Sequence, residues 1–257
     1  RRAAATRNCW CEQRRAEFKV ITVVGTRPEI IKISRVMHAL DQCKAIQHLI
    51  VHSGQNYSPE LKDVFWRDLE LRNPDYALTV PEGTLGERIA SMMVQVEGIL
   101  EREKPDALLI LGDTNSCVAA VFMAKRYRIP IFHMEAGLRC FDGRVPEENQ
   151  RKVVDHLSDI NLVYTEHARR NLLAEGVRAD TIFKTGSPVK EIIQHYRTKI
   201  EASDILTRLR LLPKQYFLVS THREENLDSE KNFKDLLDTL NLIANHYQKP
   251  IIVSTHP

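Results

Sequence analysis

The chain has 257 residues, 43% of them apolar and 28% charged, with only 10 glycines and 11 prolines, a profile that excludes collagen-like, coiled-coil and disordered classes. Its net charge of +3 resides in residues 1–17, where five arginines meet two glutamates, so the rest is neutral and lacks the basic stripe of a nucleic-acid binder. No apolar run approaches the roughly 18 residues of a membrane span, and no secretory signal is readable at the N-terminus.

Five cysteines (Cys9, Cys11, Cys43, Cys117, Cys140) show no metal-ligand spacing, so no metal site is expected and a reducing cytoplasm fits best. Arg1–Glu17 has no clean period and starts without Met. It is read as a disordered or non-native extension, apart from the fold.

From Lys19 the pattern is regular. The β-branched run Lys19–Val24 closes on Gly25, and Pro28-Glu29 opens a helix whose Ile30, Ile33, Met37 and Leu40 share a face. The spacing then predicts a strand at His48–His52, helices near Ser58–Leu69 and over Thr84–Lys104, a strand at Ala107–Leu111, a helix over Thr114–Tyr127 and a strand at Pro130–Met134. Thr84 with Glu87 is a capping box, and Lys104-Pro105 stops that helix. A further round runs through helix Glu147–Leu157, strand Ile160–Tyr164, helix Glu166–Glu175 and strand Thr181–Lys184. Strands alternating with helices predict an α/β fold with a Rossmann-like, doubly wound parallel sheet over residues 18–190. Residues 191–213 read as a charged helical crossing. Strand Tyr216–Ser220, helix Glu230–His246 and strand Ile251–Ser254 open a second Rossmann-like domain over 214–257. One β-α-β unit is too little to cover both faces of a parallel sheet, so this second domain is expected to be incomplete.

Ligands of such sheets bind at the carboxyl ends of the strands, and the loops predicted there are rich in charge. In Gly25-Thr26-Arg27-Pro28-Glu29 a tight glycine turn presents a helix N-terminus suited to an anion, with Arg27 and Lys32 adding positive charge. The plain alternative is a glycine turn with solvated cations. Asp113 and Glu135 end neighbouring strands; each fits an ordinary turn or capping acid, but two close carboxylates suit general acid–base work. In Pro146-Glu147-Glu148-Asn149-Gln150-Arg151 the acids suit a helix first turn, while a spacing of four places Glu147 beside Arg151. His222 follows the first strand of the second domain, beside Arg223, with little apolar context, and reads as a ligand or catalytic group.

Taken together, Gly25–Glu29, His52–Asn56, Gly112–Thr114, His133–Gly137, Pro146–Glu148, Thr185-Gly186 and Thr221–Asn226 resemble, in this order, the non-hydrolysing UDP-N-acetylglucosamine 2-epimerases. The resemblance covers roughly residues 19–257. Within the family, Phe132–Glu135, Arg139–Asp142 and Thr185–Pro188 are more similar to the branch acting on UDP-N-acetyl-L-fucosamine precursors. Gln150 departs from the family's usual Asn, which alters an indirect contact rather than the chemistry.

The resemblance implies a glycosyltransferase-B-type pair of Rossmann-like halves and a UDP-sugar as partner. It also implies C2 epimerisation by elimination and re-addition of UDP, without metal or nicotinamide, for surface-polysaccharide precursors. Asp113, Glu135 and Glu147 match the family's acid–base carboxylates; Arg151 and His222 match groups that hold the nucleotide or assist the leaving group. Gly25, Arg27, Lys32, Gln55, Arg223, Glu224 and Asn226 are implied in substrate and UDP binding, with a homodimer for the full-length form and neither nucleic acid nor membrane as partner. The family's uracil and ribose contacts lie mainly beyond His256-Pro257. Two other readings stand beside this one: an inactive sugar-nucleotide-binding remnant, and a glycosyltransferase of the same fold.

Overall fold

The structure is a computed structural model that describes residues 17–54, 59–220 and 229–254, with residues 59–63 described by backbone alone. The chain divides into two compact units, residues 1–196 and 197–257.

The first unit is a seven-stranded sheet with strand order β3-β2-β1-β4-β5-β6-β7. Its strands are β1 (Phe18–Val24), β2 (Ile46–His52), β3 (Tyr76–Ala77), β4 (Ala107–Leu111), β5 (Ile131–Ala136), β6 (Ile160–Val163) and β7 (Ile182–Lys184). Every pairing is parallel. The helices are α1 (Arg27–Gln42), α2 (Pro59–Asp68), α3 (Leu85–Glu103), α4 (Asn115–Arg126), α5 (Pro146–Leu157), α6 (Glu166–Ala174) and α7 (Val189–His195). This is the doubly wound α/β sheet expected. The two-residue edge strand β3 gives no sequence signal because it is too short to show a period.

Both faces of the sheet are covered, as a parallel sheet requires. Alternation along the strands sorts the core: Ile21, Val23, Leu108 and Ile110 pack in one cluster with Met92, Val96 and Val121 of α3 and α4. Val20, Val24, Leu109 and Leu111 pack in the other with Ile30, Ile33 and Met37 of α1.

The first unit runs past the expected boundary at residue 190. Ile192 and Tyr196 are buried, and the Tyr196 hydroxyl donates to the Leu69 carbonyl at 2.6 Å, so α7 belongs to this unit. The second unit holds α8 (Arg197–Glu201), α9 (Ile205–Arg208), β8 (Phe217–Ser220), α10 (Glu230–Tyr247) and β9 (Ile251–Ser254). β8 and β9 pair in parallel, from Phe217 with Ile251 to Ser220 with Ser254. Among the described residues no helix is long and apolar enough to cross a membrane.

Candidate active site

The sheet order fixes where a site can form. β1 lies between β2 and β4, so the chain leaves β1 toward one side of the sheet while β4 stands on the other, and the loops after β1 and β4 diverge around a crevice. Gly25–Glu29 and Gly112–Thr114 are those two loops.

Gly25 is buried but has no positive φ, so it is not the tight-turn glycine expected. The requirement is close approach: a Cβ there would stand 2.1 Å from Ser53 Oγ and 2.6 Å from Ser116 Oγ. These two hydroxyls are themselves bonded at 2.6 Å, joining the ends of β2 and α4 beneath the loop.

Glu29 clamps the two loops. It is 2% exposed, and its Oε2 accepts from the Gly25 amide at 2.8 Å and the Thr26 amide at 2.6 Å. Its Oε1 accepts from the Thr114 hydroxyl at 2.7 Å and lies 3.4 Å from the Cys117 thiol. Burial pushes this carboxyl above its ordinary value, and the Thr114, Gly25 and Thr26 donors offset part of the rise. Thr26-x-x-Glu29 is a capping-box pattern, so a local signal for Glu29 existed. Its reach across to Thr114 had none.

Asp113 and Glu135 follow and end adjacent strands, since Leu111 pairs with Met134. Each carboxylate is bonded to a cation of its own. Asp113 Oδ2 accepts from Arg151 Nε at 2.7 Å. Glu135 accepts from Lys32 Nζ through both oxygens, at 2.7 and 2.6 Å. Lys32 is therefore not the solvated cation of the plain alternative. Among the described residues Arg27 makes no ion pair, and its side chain starts α1 half-buried.

The expected Glu147–Arg151 pair is not formed. Glu147 is exposed, without a hydrogen bond or ion pair among the described residues, whereas its neighbour Glu148 is 1% exposed and accepts from Arg151 Nη1 at 3.2 Å. Glu148 also accepts from the Cys140 amide at 3.0 Å and the Phe141 amide at 3.1 Å. Burial raises the Glu148 carboxyl, but those amides, the Cys140 thiol and the Arg151 guanidinium outweigh it and bring it down to about 2. Helix α5 turns its second acid inward because the loop 137–145 folds back over that face, which helical spacing alone does not disclose. Arg151 thus joins Glu148 to Asp113.

Buried groups hold the strand ends in place. His133 Nε2 bonds the Gly112 carbonyl at 2.8 Å, just before Asp113. Its Nδ1 stands 2.9 Å from Asp155 Oδ1 without the alignment of a hydrogen bond. Arg139 donates to Asp155 at 2.7 Å and to both oxygens of Glu175, at 2.7 and 2.6 Å. Gln150 Nε2 donates to Asn115 Oδ1 at 2.6 Å, tying α5 to the first residue of α4.

Gln55, His222, Arg223, Glu224 and Asn226 lie outside the described residues. Among the described residues no cluster of His, Cys, Asp and Glu could hold a metal. A pocket of about 600 Å³ lined by Glu101, Lys104, Asp106, Tyr127 and Arg128 opens at the amino ends of β4 and β5, the opposite edge from the candidate residues, and carries none of them.

A family model described as UDP-N-acetylglucosamine 2-epimerase matches residues 38–257. The chain belongs to this family. A UDP-N-acetylglucosamine 2-epimerase structure from Rickettsia bellii superposes with a TM-score of 0.86 at 49% identity, covering 94% of this chain and 63% of that one. The Methanocaldococcus jannaschii UDP-GlcNAc 2-epimerase, solved in complex with UDP-GlcNAc and UDP, gives 0.86 at 34% identity, covering 93% and 66%. The UDP-2,3-diacetamido-2,3-dideoxy-D-glucuronate 2-epimerase of Pseudomonas aeruginosa is 33% identical over 243 residues, 93% of this chain and 67% of that protein. The chain thus spans about two thirds of the length of these family members.

Proposed function

We propose that the complete protein epimerises a UDP-N-acetylhexosamine at C2. A carboxylate removes the C2 proton, the C1–O bond breaks with its electron pair leaving on UDP, and a 2-acetamidoglycal forms. UDP oxygen then adds back to C1 as a proton reaches C2 from the opposite face. This chemistry needs proton-transfer groups on two sides of the ring and cations for the departing pyrophosphate. Asp113, Glu135 and Glu147 are assigned the proton transfers. Arg27, Lys32, Arg151 and His222 are assigned the anionic leaving group, and Gly25, Gln55, Arg223, Glu224 and Asn226 the binding of the nucleotide sugar.

The observation that carries this reading is the pair of carboxylates on adjacent strand ends, each tethered to its own cation beside the crevice. A glycosyltransferase would have no use for so many acids on this domain, and family membership favours the epimerase. The proposal includes a cytoplasmic location, a homodimer, and a complete second domain that closes the nucleotide site.

The test is proton exchange. In D₂O the complete protein should place deuterium at C2 of UDP-N-acetylglucosamine, and Asp113→Asn, Glu135→Gln and Glu147→Gln should each slow this by roughly 10²–10⁴-fold. Exchange at the wild-type rate in all three variants overturns the assignment.

A narrower reading concerns the sugar. Phe132–Glu135 and Arg139–Asp142 resemble the branch that handles 6-deoxy-L-sugars, and a pocket leaving a 6-hydroxyl unpaired would discriminate by about 1–3 kcal/mol. Comparison of kcat/KM for the 6-deoxy and parent compounds decides it; equal values return the protein to the general substrate.

A further inference from the structure

Glu135 is held in an unusual way for an acid–base carboxylate. It sits at φ +68°, left-handed for a residue with a side chain, and the register of β5 against β6 shifts between Met134 and Ala136. A non-glycine residue in that region persists only where its surroundings over-determine it. The surroundings here include two side chains from different elements. Lys32 of α1 contacts both carboxylate oxygens. Tyr164, the residue after β6, directs its hydroxyl at Oε2 from 3.3 Å. Nothing in the pattern of the sequence singles Tyr164 out, since it closes an ordinary strand.

We infer that Tyr164 is a positioning residue for Glu135, its hydroxyl steering the carboxylate together with Lys32, so that Glu135 is held in one orientation. The inference rests on the epimerase reading and adds to it a member from a third strand end. Two facts suit Tyr164 to the task. The half-buried ring is anchored at the end of β6, so the hydroxyl approaches from a fixed direction. Burial, with the neighbouring Glu135 charge, keeps the phenol protonated above its ordinary range, so it remains a donor. Among the described residues the side chains bonded to Glu135 are Lys32 of α1 and Tyr164. Glu135 keeps its proton-transfer role and Lys32 its place among the cations for the leaving group; Tyr164 acts through Glu135.

The test is Tyr164→Phe in the complete protein, which retains the ring and removes only the hydroxyl. We expect kcat for UDP-N-acetylglucosamine to fall about ten-fold, the lower range for losing a donor to a charged group, with KM unchanged. A role in packing alone would leave kcat intact, because the ring remains. A readout independent of turnover is the Tyr164 Cζ resonance in protein labelled with ¹³C-tyrosine, assigned by its absence in Tyr164→Phe. The wild-type phenol should ionise above the ordinary tyrosine range, and Glu135→Gln should lower that midpoint. Unchanged kcat in Tyr164→Phe, or an unmoved midpoint in Glu135→Gln, overturns the inference. A wild-type protein that fails to epimerise overturns the epimerase reading instead, and the resonance still decides whether Tyr164 and Glu135 are coupled.

Discussion

Neighbouring acids Glu147 and Glu148 should respond in opposite ways to the same change. Glu148→Gln turns one carboxylate oxygen into an NH₂ group, and both oxygens now accept from backbone amides, Cys140 at 3.0 Å and Phe141 at 3.1 Å. One of these amides must lose its acceptor, and Arg151 loses a charge partner at 3.2 Å. Phe141 is held at φ +57°, so the turn those amides anchor is strained and would relax. Together these losses cost about 2–3 kcal/mol, a drop in Tm of about 5–10 °C for a unit of this size. Glu147→Gln, at an exposed position, should leave Tm within about 2 °C while abolishing most turnover. The effect of Glu148 also has a pH signature. Its folded carboxyl lies near 2 against an ordinary 4.5, so its stabilisation is complete above about 4.5 and disappears as pH falls from there to about 2. Thermal melts by circular dichroism at pH 7 and at steps down to pH 3 would show the wild type converging on Glu148→Gln as acid is added. Equal melting of Glu148→Gln and wild type at pH 7, or a larger loss in Glu147→Gln, would refute the assignment of the buried acid.

Gly25→Ala should destabilise the first unit by more than about 2 kcal/mol, because its Cβ would fall within 2.6 Å of two buried serine hydroxyls; denaturant titration measures it, and Ser53→Ala in the same chain should recover part of the loss. Glu29→Gln should lower Tm by several degrees, since its NH₂ group must replace one acceptor oxygen and face either the Gly25 and Thr26 amides or the donors at Thr114 and Cys117, and melts at pH 7 check this. Trypsin under native conditions should cut first among Arg197, Lys199, Arg208, Arg210 and Lys214, all exposed, and leave a fragment ending near Tyr196. Early cleavage within α1 or α4 would contradict the division into units.

The β-branched runs at Lys19–Val24 and Ala107–Leu111 and the apolar periods of α1 and α4 were legible in the sequence because burial on a sheet face or helix stripe imposes period 2 or 3.6 on neighbours along the chain. Their alternation dictates a parallel sheet, and a parallel sheet puts Asp113 and Glu135 at strand ends on one edge. What each carboxylate touches was not legible. Glu135 meets Lys32 across 103 positions, Glu29 meets Thr114 across 85, and Tyr164 reaches Glu135 only because β6 is the next strand after β5. Helical spacing allowed either Glu147 or Glu148 to face Arg151; the folding back of Cys140 and Phe141 over α5 buried the second and left the first exposed. Periodicity is a local property that burial writes into a sequence, whereas the partner of a charged group is set by sheet order and loop packing, which bring together residues that no spacing relates.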